Sequence, residues 1–534
     1  MNFLLPDLIL GLALYFFVRS VFPRCVAIAL SLAIYFAASS VSDIKQEHSG
    51  VPLVAQDIVF AGQGVSLYEY ISGNLILILV VLVLVFCWAI ISLFRGEKEQ
   101  YTFRRLTLGC ILPFFVLCKA YGIGYVNETV EKGISFLGYD FIDYNYASNI
   151  HENGFLLHLY QTAENIRAPQ AGVHGFYKEK KSANDLRYES EKQDVLFILC
   201  EACFTSQDSA FVTPMSKLQT LGFSQVTMHS PVYGGGTSEA EFELLTGLSS
   251  RVMPGIDYQA YAGLYRDNAE TIASEFSSKG YATLSFHNYY DFFWRRNTVH
   301  PKFGFQASYF VYNMPQESWT GLGFPKDSAL YDTAYKVYDG LEQGKKAFMF
   351  LITVETHGSY KDSDNDHGEG NYVSKMSSAI SSLMQFIHKM EGRAKSKGHA
   401  LSIFIVGDHK PSLARVFYDK GIFPENVFDN DEWSKGKYLI KPSLDYSDEM
   451  IINSVPMFFK VPSAADTEMA REFIENKPFF CLPSLMANML ESDSTKSLFW
   501  LNLSRVCSKE VNGISSVSDL KEMFELPLYS ERLF

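Results

Sequence analysis

Hydrophobic positions follow two different layouts along this chain. Up to about residue 126 they form long unbroken runs, and beyond about residue 193 they come as short runs separated by patterned polar stretches. The longest run, 75–94, holds twenty residues without a charge and is rich in Leu, Ile and Val. As a helix it is long enough to cross a bilayer core of about 30 Å. Three weaker runs accompany it at 3–17, 25–39 and 106–126, the last containing Pro113 and a Lys119 whose stem can snorkel outward. A signal peptide is the competing reading of the first run, because Ala37-Ala38-Ser39 resembles a cleavage site. Three later apolar runs favour a multi-span anchor of about four helices.

Basic residues orient that anchor. Arg19 and Arg24 fall between the first two runs, and Arg95, Lys98, Arg104 and Arg105 between the last two. Both clusters belong on the cytoplasmic side, so the termini and everything after about residue 126 are expected outside the cytoplasm. A loop of about thirty residues between the second and third runs, with Gly50-Val51-Pro52-Leu53 and Gln56-Asp57-Ile58, faces the same way. Residues 127–192, with aromatic pieces at 139–146 and a charged run from Lys178 to Lys181, read as a juxtamembrane linker with short interfacial helices.

The remaining pattern is that of an α/β domain. Candidate buried strands lie at 195–200, 282–286, 347–353, 401–406 and 455–459. Between them Val373, Met376, Ile380, Leu383, Ile387 and Met390 recur in steps of three and four, an apolar helical stripe. Ile272 and Phe276 make a shorter stripe ending near Gly280, a C′-type glycine. Strands alternating with helices predict a largely parallel central sheet covered by helices. The expected organisation is a transmembrane domain at 1–126, the linker at 127–192, the α/β domain at 193–500, and a C-terminal tail at 501–534 packing on it.

In such sheets ligands sit beyond the carboxyl ends of the strands, and the residues there are unusual. The first strand runs into Glu201, the second into His287, the third into Thr353-Val354-Glu355-Thr356-His357, and the fourth into Gly407-Asp408-His409. A lone polar residue after a strand is ordinarily a turn or cap. Four strands delivering carboxylates and imidazoles to one edge are harder to explain that way. Hard oxygen ligands with an imidazole suit Mn²⁺, Mg²⁺ or Zn²⁺. A second feature is Gly234-Gly235-Gly236 running into Thr237-Ser238, with Phe242, Leu245 and Leu248 following. Taken alone it is either a flexible turn with Thr237 or Ser238 as an N-cap, or a cradle bringing a hydroxyl to a phosphate or sulfate ester. Asp362-Ser363-Asp364-Asn365-Asp366 looks like a calcium loop, but the required Gly and Glu are replaced by His367 and Val373, so a solvated loop is expected.

Charge and cysteines narrow the partners. A formal charge of −13 over 534 residues argues against nucleic acid. The eight cysteines do not read as a disulfide framework, and a Cys481–Cys507 bridge is left open. Cys200-Glu201-Ala202-Cys203 has redox-motif spacing, yet Cys200 ends an apolar run, so packing is the expected role.

Taken in order, these pieces resemble the membrane-bound branch of the alkaline phosphatase/sulfatase superfamily, in particular its lipoteichoic acid synthase and phosphoglycerol transferase group. The likeness comprises the anchor and linker, the strand into Glu201, Gly-Gly-Thr237-Ser-Glu-Ala-Glu-Phe, Phe-His287 with Phe-Trp294-Arg-Arg296, Thr-His357, Gly-Asp408-His409, and Pro483-Ser-Leu-Met near the end. The resemblance implies a sulfatase-like, alkaline phosphatase-type domain. It assigns Glu201, Thr237, Asp408 and His409 to one divalent metal, Mn²⁺ first with Mg²⁺ or Zn²⁺ as alternatives, and makes Thr237 the nucleophile. His287, Trp294, Arg296 and His357 fall around the substrate headgroup. Arg296 is then placed to stabilise transition-state charge, and His357 or His287 to protonate the leaving alcohol.

The implied enzyme sits in the bacterial cytoplasmic membrane with its catalytic domain outside. It moves phosphoglycerol from phosphatidylglycerol to a cell-envelope glycan or glycolipid through a phospho-threonine. Phosphoethanolamine transfer from phosphatidylethanolamine is the alternative. Third come a sulfatase or phosphodiesterase hydrolase and a non-catalytic envelope-binding module. The usual sulfatase motif, Cys/Ser-x-Pro-x-Arg, does not fit the Thr237 segment.

Overall fold

The computed structural model describes residues 5–49, 52–55, 57, 103–121, 124–142, 146–163, 193–252, 262–291, 293–315, 324–358, 360, 365–429, 438–441, 444–488, 497–509, 516–524 and 526–534. The chain divides into two compact units, Met1–Ala168 and Pro169–Phe534.

The first unit is helical: Leu5–Val21, Arg24–Ser49, Phe103–Tyr121, Gly124–Phe136, Tyr146–Asn153 and Phe155–Thr162. Among the described residues one helical stretch, Arg24–Asp43, is long and apolar enough by itself to cross a membrane. Leu5–Val21 has 17 residues, which reach only about 25 Å of the roughly 30 Å core. The run expected as a crossing over 106–126 is bent, and it makes a second span only if its two helices count as one. Thr107–Ala120 and Tyr125–Phe136 meet at 105°. The run at 75–94, with Arg95 and Lys98, lies outside the described residues, as does 164–192. Residues 124–163 belong to the first unit, although part of that stretch reads from sequence as linker. Asp7 helps to bind the unit together: its carboxylate accepts from the amides of Phe155 (3.3 Å) and Leu156 (2.7 Å), capping that helix.

The second unit is built on one eight-stranded sheet: β1 Gln193–Cys200, β2 Ser224–His229, β3 Ala282–His287, β4 Ala307–Tyr309, β5 Ala347–Ile352, β6 Ala400–Gly407, β7 Ser454–Lys460 and β8 Lys477–Pro478. Their order is β4-β3-β5-β1-β6-β7-β2-β8. Only β7 runs antiparallel to its neighbours among the described strands, so the sheet is largely parallel. Side chains of β1 alternate between faces. Val195, Phe197 and Leu199 enter one core with Leu245, Ile272 and Leu485. Leu196 and Ile198 enter the other with Met376, Ile380, Leu383 and Ile387 of the long Glu369–Lys397 helix. All eight β1 residues are buried, as a parallel strand covered on both faces requires.

Two disulfides join Cys200 to Cys203 and Cys481 to Cys507. The first corrects the expectation of simple packing. The chain turns back through Ala202 at φ 48°, which brings the two Cα atoms to 5.4 Å. The tail reaches the α/β domain through Arg532, whose guanidinium donates to the carbonyls of Thr246 (2.6 Å) and Glu270 (2.7 Å).

Candidate active site

The parallel register sets the site. Cys200 of β1 lies level with Gly407 of β6, so Glu201 and Asp408 leave the sheet side by side. The turn after β1 can fold against the end of β6 because residue 407 is glycine; a Cβ there would overlap the Cys203 carbonyl oxygen. Asp408 Oδ1 accepts from the amides of Ala202 (2.7 Å) and His409 (2.8 Å), which aims Oδ2 outward. There it accepts from Thr237 Oγ1 at 2.8 Å, and Glu201 Oε2 lies 3.3 Å from the same hydroxyl.

Thr237 is the first residue of the Thr237–Thr246 helix. The cap position belongs to Gly236, at φ 86° with no side-chain cap. That removes the N-cap reading for Thr237 and Ser238. A glycine supplies the left-handed turn, and the threonine hydroxyl is left to meet the carboxylates.

His409 completes the group. Its Nδ1 faces the Lys410 carbonyl at 2.9 Å, so that nitrogen carries the proton. Nε2 then lies 3.6 Å from Glu201 Oε1 and 3.4 Å from Asp408 Oδ2, buried and with no hydrogen-bond partner. Burial, and then the Asp408 charge, push the Glu201 carboxyl well above its usual range. Two carboxyl groups and an imidazole nitrogen thus converge in a buried pocket around the Thr237 hydroxyl. The atoms of Glu201, Asp408 and His409 lie within 4.8 Å of one another, and this donor set fits a divalent cation.

His287 ends β3, where its Nδ1 donates to the Ile352 carbonyl (3.0 Å) and its Nε2 is buried without a partner. Burial, then the Arg296 charge, hold this imidazole well below its usual pKa, so it is neutral near pH 7. Trp294 and Arg295 adopt left-handed φ values of 54° and 52°, turning the chain into the Arg296–Lys302 helix. Trp294 packs at the margin of one core. Arg296 is buried, and its Nε donates to Glu241 at 3.0 and 3.3 Å. Its NH1 remains buried without a hydrogen-bond partner. His357 is half-buried, stacked on Phe324 at 4.1 Å, with Nδ1 on the Gly358 carbonyl. Glu355, at the same strand end, instead accepts from the Asp327 amide (3.0 Å) and Lys326 Nζ (2.6 Å), which caps the Asp327–Asp339 helix.

Direct contacts therefore bring together Glu201, Thr237, Asp408 and His409. His287, Arg296 and His357 form a second set linked through their charges: Arg296 and His357 both act on His287, and Arg296 acts on Glu201. Sequence reasoning assigned no role to Glu241, one helical turn after the nucleophile candidate and buried against Arg296. Burial alone would raise its carboxyl, but Arg296 and His300 bring it below the usual range. The spacing Thr237-x-x-x-Glu241 is its only sequence signal.

Residues 193–488 match the Sulfatase family, and since that is more than half of the sequence, this chain belongs to it. A Rhizobium meliloti (strain 1021) protein named for cyclic beta-1,2-glucan modification is 27% identical over 262 residues, covering 45% of this chain and 40% of that protein. The chain thus spans less than half the length of that relative. Among solved structures, the phosphoglycerol transferase GacH of Streptococcus pyogenes, in complex with sn-glycerol-1-phosphate, has 16% identity and a TM-score of 0.43, covering 67% of this chain and 88% of that one. The lipoteichoic acid synthase LtaP of Listeria monocytogenes has 17% identity and a TM-score of 0.42, covering 59% and 75%. The lipooligosaccharide phosphoethanolamine transferase EptA of Neisseria meningitidis has 14% identity and a TM-score of 0.44, covering 91% and 95%.

Proposed function

We propose that this sulfatase-family enzyme is a metal-dependent transferase that moves phosphoglycerol from phosphatidylglycerol to a cell-envelope glycan through a covalent phospho-threonine at Thr237. The observation that carries the reading is the Thr237 hydroxyl, held at a helix N-terminus 2.8 Å from Asp408 and 3.3 Å from Glu201. A hydroxyl acting only as a cap would turn to its own helix.

Glu201, Asp408, His409 and Thr237 would hold one divalent cation, Mn²⁺ by preference with Mg²⁺ or Zn²⁺ as alternatives. Such an ion, when bound, lowers the pKa of a neighbouring hydroxyl and offsets phosphoryl charge. Asp408 Oδ2 receives the Thr237 proton along the existing hydrogen bond. The Thr237 Oγ1–P bond then forms while the bond from phosphorus to the diacylglycerol oxygen breaks. Arg296, oriented by Glu241, offers NH1 to the nonbridging oxygens. His357, the more exposed imidazole, protonates the leaving alcohol, and neutral His287 accepts a hydrogen bond from the headgroup. In the second half-reaction an acceptor hydroxyl attacks the phospho-threonine and restores Thr237.

The named activity of the Rhizobium relative supports a glucan as acceptor, and the apolar Arg24–Asp43 helix supports a membrane anchor that keeps the site beside its lipid donor. Further spans, an extracytoplasmic catalytic domain and a cytoplasmic-membrane location belong to the same proposal. Its test is mass spectrometry of the Thr237 peptide after the full chain, with Mn²⁺, meets vesicles of phosphatidylglycerol or phosphatidylethanolamine. A glycerophosphoryl adduct on Thr237 is expected. A phosphoethanolamine adduct reassigns the donor, and an unmodified Thr237 alongside turnover overturns the mechanism.

A further inference from the structure

A run of aromatic rings leads out of the site and belongs to neither hydrophobic core. From His287 the centroids pass to Tyr289 (6.3 Å), Tyr290 (5.0 Å) and Tyr312 (5.6 Å). A second branch joins Tyr289 to Phe324 (5.5 Å), and Phe324 to His357 (4.1 Å). Tyr289 and Tyr290 follow β3, and Tyr312 follows β4, the last strand on that side of the sheet. Both loops leave the same carboxyl edge as the catalytic residues.

Burial falls off along the run. His287 is 3% exposed and Tyr289 6%, whereas Tyr290 is half-buried and Tyr312 is 61% exposed. None of these tyrosines contributes to the two clusters that flank the sheet. The outer end is also polar. Asp291 directly follows Tyr290 and is half-buried like it, and burial, then the Asp291 charge and Tyr290, raise the Tyr312 phenol. That mixture discriminates between occupants. An acyl chain gains nothing from a carboxylate, and a phosphate is repelled by one. A neutral sugar ring has C–H faces to lay on tyrosine and hydroxyls to donate to Asp291.

We propose that Tyr290, Tyr312 and Asp291 form the acceptor subsite, which seats a neutral hexose unit of a glycan so that one of its hydroxyls reaches Thr237. The assignment rests on the transferase reading above. In the step it serves, the sugar O–P bond forms as the Thr237 Oγ1–P bond breaks, the sugar hydroxyl's proton passes to His357, and Asp408 returns its proton to Thr237 Oγ1.

The test uses the full chain in detergent with cyclic β-1,2-glucan as probe. Calorimetric binding is measured in a Thr237→Ala background, and steady-state kinetics with phosphatidylglycerol in the parent background. Tyr312→Ala and Tyr290→Ala are each expected to weaken glucan binding about tenfold, with the loss appearing in the glucan KM and not in kcat. Tyr312→Phe, which keeps the stacking face, should retain most of the affinity. The subsite is overturned if the parent does not bind glucan, if the double alanine variant binds it normally, or if the KM that rises is that of the phospholipid. Tyrosine-dependent glucan binding with no adduct on Thr237 would sink the transferase reading and leave the subsite standing. An adduct with tyrosine-independent glucan binding would do the reverse.

Discussion

Strand β1 carries an acidic residue near each end, each close to an imidazole, and the two are treated differently. At the amino end Asp194 accepts from the Ala347 amide (2.8 Å), the Tyr338 hydroxyl (2.5 Å) and His399 Nδ1 (2.9 Å). One carboxylate there meets three donors. Just past the carboxyl end, the two carboxylates of Glu201 and Asp408 share three donors, the amides of Ala202 and His409 on Asp408 and the Thr237 hydroxyl between them, with His409 Nε2 close by and without a hydrogen-bond partner. The residue types are nearly the same. The difference is the ratio of donors to acceptors, and a buried excess of acceptors marks the end that needs a cation.

The largest effects should come from attacking that excess. Thr237→Ala is expected to abolish headgroup transfer while thermal unfolding stays close to that of the parent, and retained turnover would move the nucleophile to Ser238. Glu201→Ala or Asp408→Ala should strip the bound metal, read by elemental analysis of the purified full chain; unchanged metal content would break the comparison. Next in size is Glu241→Ala. It leaves Arg296 buried without its counter-charge, which costs about 3–5 kcal/mol and should lower both the unfolding midpoint and the rate of transfer.

A smaller, pH-dependent effect belongs to Glu243, pushed up to about 7 by burial, with Arg251 opposing and Tyr446 and Tyr529 close by. A raised folded-state pKa favours the folded chain below about pH 4.5 and loses that advantage as pH rises through 7. The gap corresponds to roughly 3 kcal/mol at most. Glu243→Gln should therefore flatten the fall in melting temperature between pH 5 and pH 8, and an unaltered slope would assign the titration elsewhere. The smallest effect should be that of Asp194→Asn, a loss of about 1–3 kcal/mol with metal content and transfer preserved. Lost metal in that variant would erase the distinction between the two ends of β1.

Much of this was legible in the chain, for identifiable reasons. Five strands show as apolar runs because both of their faces are covered. β2 does not, since Ser224, Thr227 and His229 are only partly buried and interrupt the pattern, and β4 and β8 are too short to have one. Glu201, Asp408 and His409 could be read because strand ends in a parallel sheet share an edge. Glu241 could not, because Glu239, Glu241 and Glu243 stand two apart in one helix and nothing local says which is paired with arginine. The Cys200–Cys203 pairing depends on the left-handed turn at Ala202, which composition does not announce.

The Glu241–Arg296 pair also has a kinetic meaning. It clamps the helix that begins at Thr237 to the helix that begins at Arg296, with both charged groups fully buried. Fraying either helix would strand a bare charge in the interior, so the two should exchange their amide hydrogens as one slow cooperative unit. Under the proposed transfer, entry and exit would then be served by the surrounding loops, while Thr237 and Arg296 stay fixed in register.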